Sequence, residues 1–296
     1  MTGQVICLGD AMIDIIAVLN GPLAVGSDTP APIAFRHGGA AANTAAWLAA
    51  LHVPVTYAGR VGDDLSGREV IQTLQRQGVV VAVSVDPVLP TGCCLVLVSP
   101  DGERTMVPSA GANDRLDGAH LRALALSPDD RLHVSGYSLL KDGSRDAAMD
   151  LLGRAIGVGA RISVDAASAS PIKAFGAQRF LDLLPADALL LANCDEASVL
   201  TGCAEPAAAA QVLARHCAEV IVKCGRDGAV IAVGHDLRVI STPAVPVLDS
   251  TGAGDAFAAG VLAALLGGAD LATAVAQGNA VGARAVASVG ARPPGV

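Results

Sequence analysis

Pro246-Val247-Leu248-Asp249-Ser250-Thr251-Gly252-Ala253-Gly254-Asp255-Ala256-Phe257 is the stretch around which the chain is organised. It reads as the end of an extended segment, a turn of small residues, and the start of a long apolar helix carried by Val261, Leu262, Leu265 and Leu266. Gly267 and Gly268 supply a natural stop. Glycines at 252 and 254 let main-chain N–H groups face outward with no Cβ in the way, and the helix start adds partial positive charge. That combination predicts an anion site. Asp255 is out of place there, because a carboxylate repels phosphate, unless its task is to take a proton as a phosphoryl group arrives. The plainer reading of the same residues is a helix capped by Asp249 or Ser250.

Two familiar phosphate-binding patterns fail on spacing. A dinucleotide fingerprint would need glycine or alanine where Phe257 stands, and a Walker A loop needs Gly-Lys-Ser/Thr, a context that Lys141, Lys173 and Lys223 all lack. Composition narrows the remaining choices. Of 296 residues, 52 % are apolar but only 2 % aromatic, so the core is built from Ala, Val and Leu in closely spaced layers. A net charge of −8 with 20 basic residues argues against a nucleic-acid surface. No apolar run approaches the roughly 20 residues that span a bilayer. The apolar start from Val5 to Leu19 holds Asp10 and Asp14 with no basic residue before Arg36, unlike a signal peptide. Seven cysteines without a C-x-x-C pair suit reduced thiols in a cytoplasmic protein.

Val5–Leu8 is a short apolar run ending in Gly9-Asp10, which suits a central parallel strand, and ligands gather at the carboxyl ends of such strands. Asp10 and Asp14 therefore lie where a polar substrate can be held. Gly38-Gly39 allows close backbone approach and opens an Ala-rich helix, on which Asn43 offers donors and an acceptor to hydroxyls. From Val79 to Val107 short strand-like runs separated by Pro and Gly predict an antiparallel meander. Strands and helices then alternate from Leu132 to Cys217, which means a parallel sheet covered on both faces. Asp165 ends one strand, and another ends at Asn193, with Glu196 on the same helix face. Both Asn193 and Glu196 offer hard oxygens suited to Mg²⁺ or its waters. Lys223-Cys224-Gly225-Arg226-Asp227-Gly228 is by itself only a glycine turn between strands.

Taken in order, Gly39 to Asn43, Gly59-x-Val61-Gly62-x-Asp64-x-x-Gly67, Asn193-x-x-Glu196, the Lys223 loop and Asp249 to Asp255 resemble the signatures of the ribokinase-like PfkB carbohydrate kinase family. The resemblance covers essentially the whole chain. It implies a three-layer α/β/α fold with a mostly parallel central sheet, one domain over 1–296, and a small β-sheet lid from insertions at about 14–35 and 79–107. It implies ATP as phosphoryl donor, Mg²⁺ held through water by Asn193 and Glu196, and, as in some relatives, a monovalent cation such as K⁺. Asp255 becomes the catalytic base beside the amides of Gly252, Ala253 and Gly254. Asp14, Gly38, Gly39, Asn43 and Asn113 become substrate contacts, while Lys223, Gly225, Gly228, Gly252, Gly254 and Asn279 border the nucleotide. The alanines after Gly39 depart from the lysine-containing variant of ribokinases proper. The acceptor is expected to be a sugar or a sugar-like alcohol, with a nucleoside or vitamin alcohol as the alternative and a non-catalytic ligand sensor as a third reading. No arginine accompanies Asp165 to clamp a substrate carboxylate. An exposed lid edge is the expected surface for a homodimer.

Overall fold

The computed structural model describes residues 3–101 and 103–294. Its strands in chain order are β1 (Val5–Leu8), β2 (Met12–Val18), β3 (Ile33–Gly38), β4 (Val55–Gly62), β5 (Val80–Asp86), β6 (Gly92–Val98), β7 (Arg104–Ser109), β8 (Arg131–Ser135), β9 (Arg161–Asp165), β10 (Leu189–Asn193), β11 (Glu219–Lys223), β12 (Ala229–Val233) and β13 (Asp236–Ile240). The large sheet runs β13-β12-β11-β10-β9-β8-β1-β4-β5. From β11 to β5 every pairing is parallel, and only β12 and β13 turn antiparallel at one margin.

Helices cover both faces, as the continuous apolar strands require. Alternate residues of β1 show how: Ile6 and Leu8 pack with Leu151, Leu190 and Leu213 on one side. Val5 and Cys7 pack with Trp47, Leu48, Tyr57, Ala259 and Leu262 on the other. The helix Ala253–Leu266 lies on that second face beside the helix Leu271–Val286. Ala256, Ala258, Ala259 and Gly260 are buried along it, so small side chains set the layer spacing.

A separate four-stranded sheet has the order β3-β2-β6-β7. Its composition corrects the sequence reading in two ways. Val79 to Val83 does not join it: β5 pairs in parallel with β4, Thr56 opposite Val80, as the closing strand of a crossover through the helix Leu65–Arg76. A strand, helix, strand run returns to the sheet it left, and that link outranks the Pro and Gly turns that follow. The central pair β2–β6 is also parallel rather than antiparallel, since the two strands come from distant parts of the chain and need no hairpin. Only β2–β3 and β6–β7 are antiparallel.

Candidate active site

Strands β11, β10, β9, β8 and β1 deliver their carboxyl ends to one edge of the large sheet. Register sets Asn193 beside Lys223, and Asp165 beside both Leu191 and Ser135. The turn leading into the helix Ala253–Leu266 stands against this edge. A Cβ on Gly254 would lie 3.6 Å from the Nζ of Lys223.

Asp249 braces that turn. Its Oδ1 accepts from the amide (2.8 Å) and hydroxyl (2.6 Å) of Thr251, and its Oδ2 accepts from the amide of Gly290 (3.0 Å). The Arg104 guanidinium, carried on β7 of the small sheet, pairs with the same carboxylate and with the Thr251 hydroxyl. Burial works to raise the Asp249 pKa, but these bonds outweigh it and hold it at about 2. Asp249 therefore does not cap the helix. The cap position is Gly252, with φ of 71° and no side-chain bond. A Cβ there would meet the Ala291 carbonyl oxygen at 2.5 Å, so backbone and neighbour both demand glycine. Among the described residues no group accepts from the amides of Gly252, Gly254 and Asp255. The Ala253 amide, expected with them, instead reaches the Ser250 carbonyl at 3.3 Å.

Asp255 sits in the first turn of the helix, partly exposed, with Oδ2 accepting from the Nδ2 of Asn43 at 2.9 Å. Burial pushes its pKa up to about 7, helped by Asp165 and Asp10 and opposed by the Asn43 bond and Lys223. A base near 7 is half ionised at neutral pH and matched to general base catalysis.

The remaining expected residues divide. Asp14, on β2, approaches Gly38 so closely that a Cβ on Gly38 would lie 2.4 Å from its Oδ2. Burial, with Asp10 adding to it, raises the Asp14 pKa to about 6 against the pull of Arg292. Gly39 takes φ of 92° at the start of the helix Ala40–Ala50, with its would-be Cβ 2.6 Å from the Asp10 carbonyl. Asp10 proves to be scaffold: its carboxylate accepts from the Ala40 amide (3.1 Å) and from the Ser135 hydroxyl (3.1 Å). Asn113 is scaffold too, contrary to expectation. Its Nδ2 donates to Ala11 and Ala110 (both 3.0 Å) and its Oδ1 accepts from the Ala11 amide (3.2 Å). Both donors being spent on backbone, Asn113 shapes the turn after β1 rather than offering an N–H to a ligand. Asn279, largely buried, donates from Nδ2 to the carbonyls of Ile240 (3.1 Å) and Ser241 (3.0 Å), fastening the end of β13 to the last helix.

On the other side of Asp255, the Lys223 ammonium pairs with Asp165 Oδ2 at 2.6 Å. Burial opposes the charge of Lys223, but Asp165, Glu196 and Asp255 together raise its pKa, so it stays an ammonium. Gly225 and Gly228 both have positive φ, and a Cβ on Gly228 would fall 2.0 Å from the Ile240 carbonyl. Asn193 and Glu196 form a reciprocal capping box. The Asn193 amide and Nδ2 each donate to the Glu196 carboxylate at 2.7 Å, and the Glu196 amide donates to Asn193 Oδ1 at 2.8 Å. Burial raises the Glu196 pKa, with Lys223 pulling the other way. Among the described residues no cluster of three or more His, Cys, Asp or Glu could hold a metal ion. Both Glu196 oxygens already accept from Asn193 and the residue is buried, so the pair presents no open direct ligand for an ion.

Two contributors, Arg104 and Arg292, and the pairing of Lys223 with Asp165 escaped the sequence reading. Arg104 is separated from Asp249 by 145 positions and Lys223 from Asp165 by 58. Arg292 donates from Nε to Asn43 Oδ1 at 3.1 Å across 249 positions. No motif marks Arg104 or Arg292. For Arg292, a lone arginine after Gly290-Ala291 was the only available signal.

The sequence profile described as pfkB family carbohydrate kinase matches residues 2–295. The aminoimidazole riboside kinase of Salmonella typhimurium is 30% identical over 298 residues, covering 96% of this chain and 89% of that protein. Among solved structures, adenosine kinase from Sinorhizobium meliloti superposes with a TM-score of 0.87 at 25% identity, covering 99% of this chain and 97% of its own. Fructokinase from Vibrio cholerae, solved with fructose, ADP and calcium ion, gives 0.81 at 28% identity, covering 98% and 94%.

Proposed function

From the premise that the chain belongs to the pfkB family of carbohydrate kinases, phosphotransferases acting on alcohol groups, we propose that it moves the terminal phosphoryl of ATP to a primary hydroxyl of a sugar or sugar-like molecule. The observation that carries this reading is Asp255 beside the unpartnered amides of the Gly252 turn, its carboxyl raised to about 7. The acceptor hydroxyl lies between Asp14, the Gly38-Gly39 backbone and Asn43 on one side and Asp255 on the other. As the loose transition state forms its new P–O bond, the hydroxyl proton passes to Asp255. The amides of Gly252, Gly254 and Asp255 hold the charge on the transferring group, where one such donor is worth roughly 3 kcal/mol. Lys223 adds a fixed positive charge on the donor side, and Gly225 and Gly228 let the loop backbone lie close to the nucleotide. Mg²⁺ would be held through water by Asn193 and Glu196 and would neutralise charge on the ATP phosphates.

The small sheet acts as the lid, excluding water that would compete with the acceptor. Register puts Ile33, Phe35, Leu95 and Val107 on one face of it, and each is exposed. An apolar face of this kind supports a homodimer through the lid. A kinase that draws on ATP is expected to work in the cytoplasm; no helix among the described residues is long and apolar enough to cross a membrane. A nucleoside acceptor is the second reading, favoured by the near-complete superposition on adenosine kinase.

A coupled ADP-release assay with Mg²⁺-ATP against D-ribose, D-fructose, 2-dehydro-3-deoxygluconate, adenosine and aminoimidazole riboside tests the proposal. Turnover with at least one is expected. Saturable binding by thermal shift with no ADP formed from any would replace the kinase by a ligand sensor on the same fold.

A further inference from the structure

Arg292 follows the last helix and is only 9% exposed. A guanidinium carries a permanent charge, so burying it costs free energy unless its N–H groups and its charge are matched. Its Nε donates to Asn43 Oδ1 (3.1 Å) and its Nη2 lies 3.4 Å from the Gly38 carbonyl. Its Nη1 is buried and has no partner among the described residues. Neighbouring bonds fix the segment in place. Trp47 Nε1 donates to the Ala291 carbonyl (2.9 Å), and the Gly290 amide donates to Asp249 (3.0 Å). The tail is thus stitched to the first helix and to the phosphate turn, with Arg292 held between the acceptor residues.

A side-chain amide can face either way, and Asn43 is no exception. With its oxygen turned to the Arg292 Nε–H, its Nδ2 must face Asp255, where it donates at 2.9 Å. With the amide reversed, an oxygen would face the carboxylate and two donors would face each other at Arg292. We infer that Arg292 is a positioning residue for the acceptor half of the site: it locks the Asn43 amide with its N–H₂ toward Asp255, and it supplies the positive charge shared by Asp14 and Asp255. The electrostatics of the pocket agree. Arg292 lowers the Asp14 pKa, while burial brings that of Arg292 down to about 10 against the upward pull of Tyr57, Asp14 and Asp255. The other charged groups acting on Asp255 are Asp10, Asp165 and Lys223. Asp10 also acts on Asp14, while His37, pushed to about 4 by burial and by Arg292, stays neutral. Arg292 is therefore the cation on the acceptor side, as Lys223 is on the donor side.

The inference rests on Asp255 as the base, so its test needs a readout that does not depend on turnover. Carboxyl ¹³C NMR on full-length protein labelled at aspartate, with Asp255→Asn identifying the resonance, follows the Asp255 titration without any substrate. Arg292→Gln should raise the Asp255 midpoint by on the order of one pH unit. Arg292→Lys, which keeps the charge but not the fork, should leave it near the wild-type value. With whichever acceptor of the panel turns over, both variants should lose about 10- to 100-fold in kcat, with KM for ATP within about twofold of wild type. On an Asn43→Ala background the Arg292→Lys loss should vanish, since the two residues act as one unit. An unchanged Asp255 midpoint in Arg292→Gln, or losses that multiply in the double variant, would overturn the inference. If Arg292→Gln does not fold, the Arg292→Lys cycle alone decides it. A shifted midpoint in a protein that phosphorylates nothing would retain Arg292 and sink the kinase reading instead.

Discussion

The two halves of the cleft are built in different ways. The phosphate half is mainly backbone: a turn of seven consecutive residues, Asp249 to Asp255, plus the short loop from Lys223 to Gly228, both shaped by glycines with positive φ. The acceptor half is a side-chain network in which Asp14, Asn43, Asp255 and Arg292 meet from the chain's beginning, its penultimate helix and its tail. A backbone cradle uses dipoles that never titrate, so its field is constant with pH. The side-chain half carries two carboxyls lifted to about 6 and about 7, so its charge changes within the physiological range. On the proposed function, one half would set where phosphate goes and the other when a proton can leave.

Replacing Asp255 strikes the residue the halves share and should have the largest effect. Asp255→Asn is expected to lose on the order of 10²–10⁴ in kcat while still binding substrate in thermal shift. Near-normal turnover would remove Asp255 from the chemistry. In the wild type, kcat should rise with pH through about 7, because only the ionised form accepts a proton. Stability should move the opposite way. The folded pKa lies above the ordinary aspartate value of 3.8, so the cost of holding the carboxylate ionised is absent below about 4 and fully present above about 7. Asp255→Asn should therefore gain more in Tm at pH 8 than at pH 4.5, and an equal gain at both would contradict the raised pKa.

Gly252→Ala tests the backbone half alone. It adds a Cβ 2.5 Å from the Ala291 carbonyl at φ of 71°, so the turn must shift. Strain of this kind costs roughly 1–3 kcal/mol. Single-turnover kinetics should show a kcat loss of about 10- to 100-fold with the kcat–pH midpoint unmoved. A moved midpoint would mean that the two halves are not separable.

Asp14→Asn tests the acceptor half alone and should act chiefly on binding. KM for the acceptor is expected to rise about 10-fold, the loss of one charged hydrogen bond, with KM for ATP unchanged. A matching rise in both would place Asp14 on lid closure rather than on the acceptor. The smallest effect is expected at Asn193→Ala, which opens the capping box and costs about 1 kcal/mol of stability by thermal melting. Its activity should depend more steeply on Mg²⁺ concentration than that of the wild type. Unaltered Mg²⁺ dependence would reduce Asn193 and Glu196 to a helix cap.

The two halves also differed in how readily they could be read. The Asp249 to Asp255 turn and the helix that follows it were visible because a glycine in a left-handed conformation and an apolar run ending in Gly267 are local facts. The parallel sheet was visible for the same reason, through apolar runs alternating with helices. The bonds of Asn113 and Asn279 could not be read in advance, because an asparagine in a turn or on a helix looks alike whether it faces a ligand or fastens backbone. Only the bonds to Ala11, Ala110, Ile240 and Ser241 distinguish the cases. Val79 to Val83 was misjudged because its turn residues gave no hint that a helix crossover had already committed it to the large sheet.

Order along the chain thus established the fold class, the glycine cradle and the carboxylate beside it, since each depends on neighbours a few positions apart. The ion pair of Lys223 with Asp165, the brace of Arg104 on Asp249, the raised pKa of Asp255 and the place of Arg292 came only with the folded chain. Desolvation and Coulomb energy depend on distance through space, and packing brings together residues that no spacing along the backbone relates.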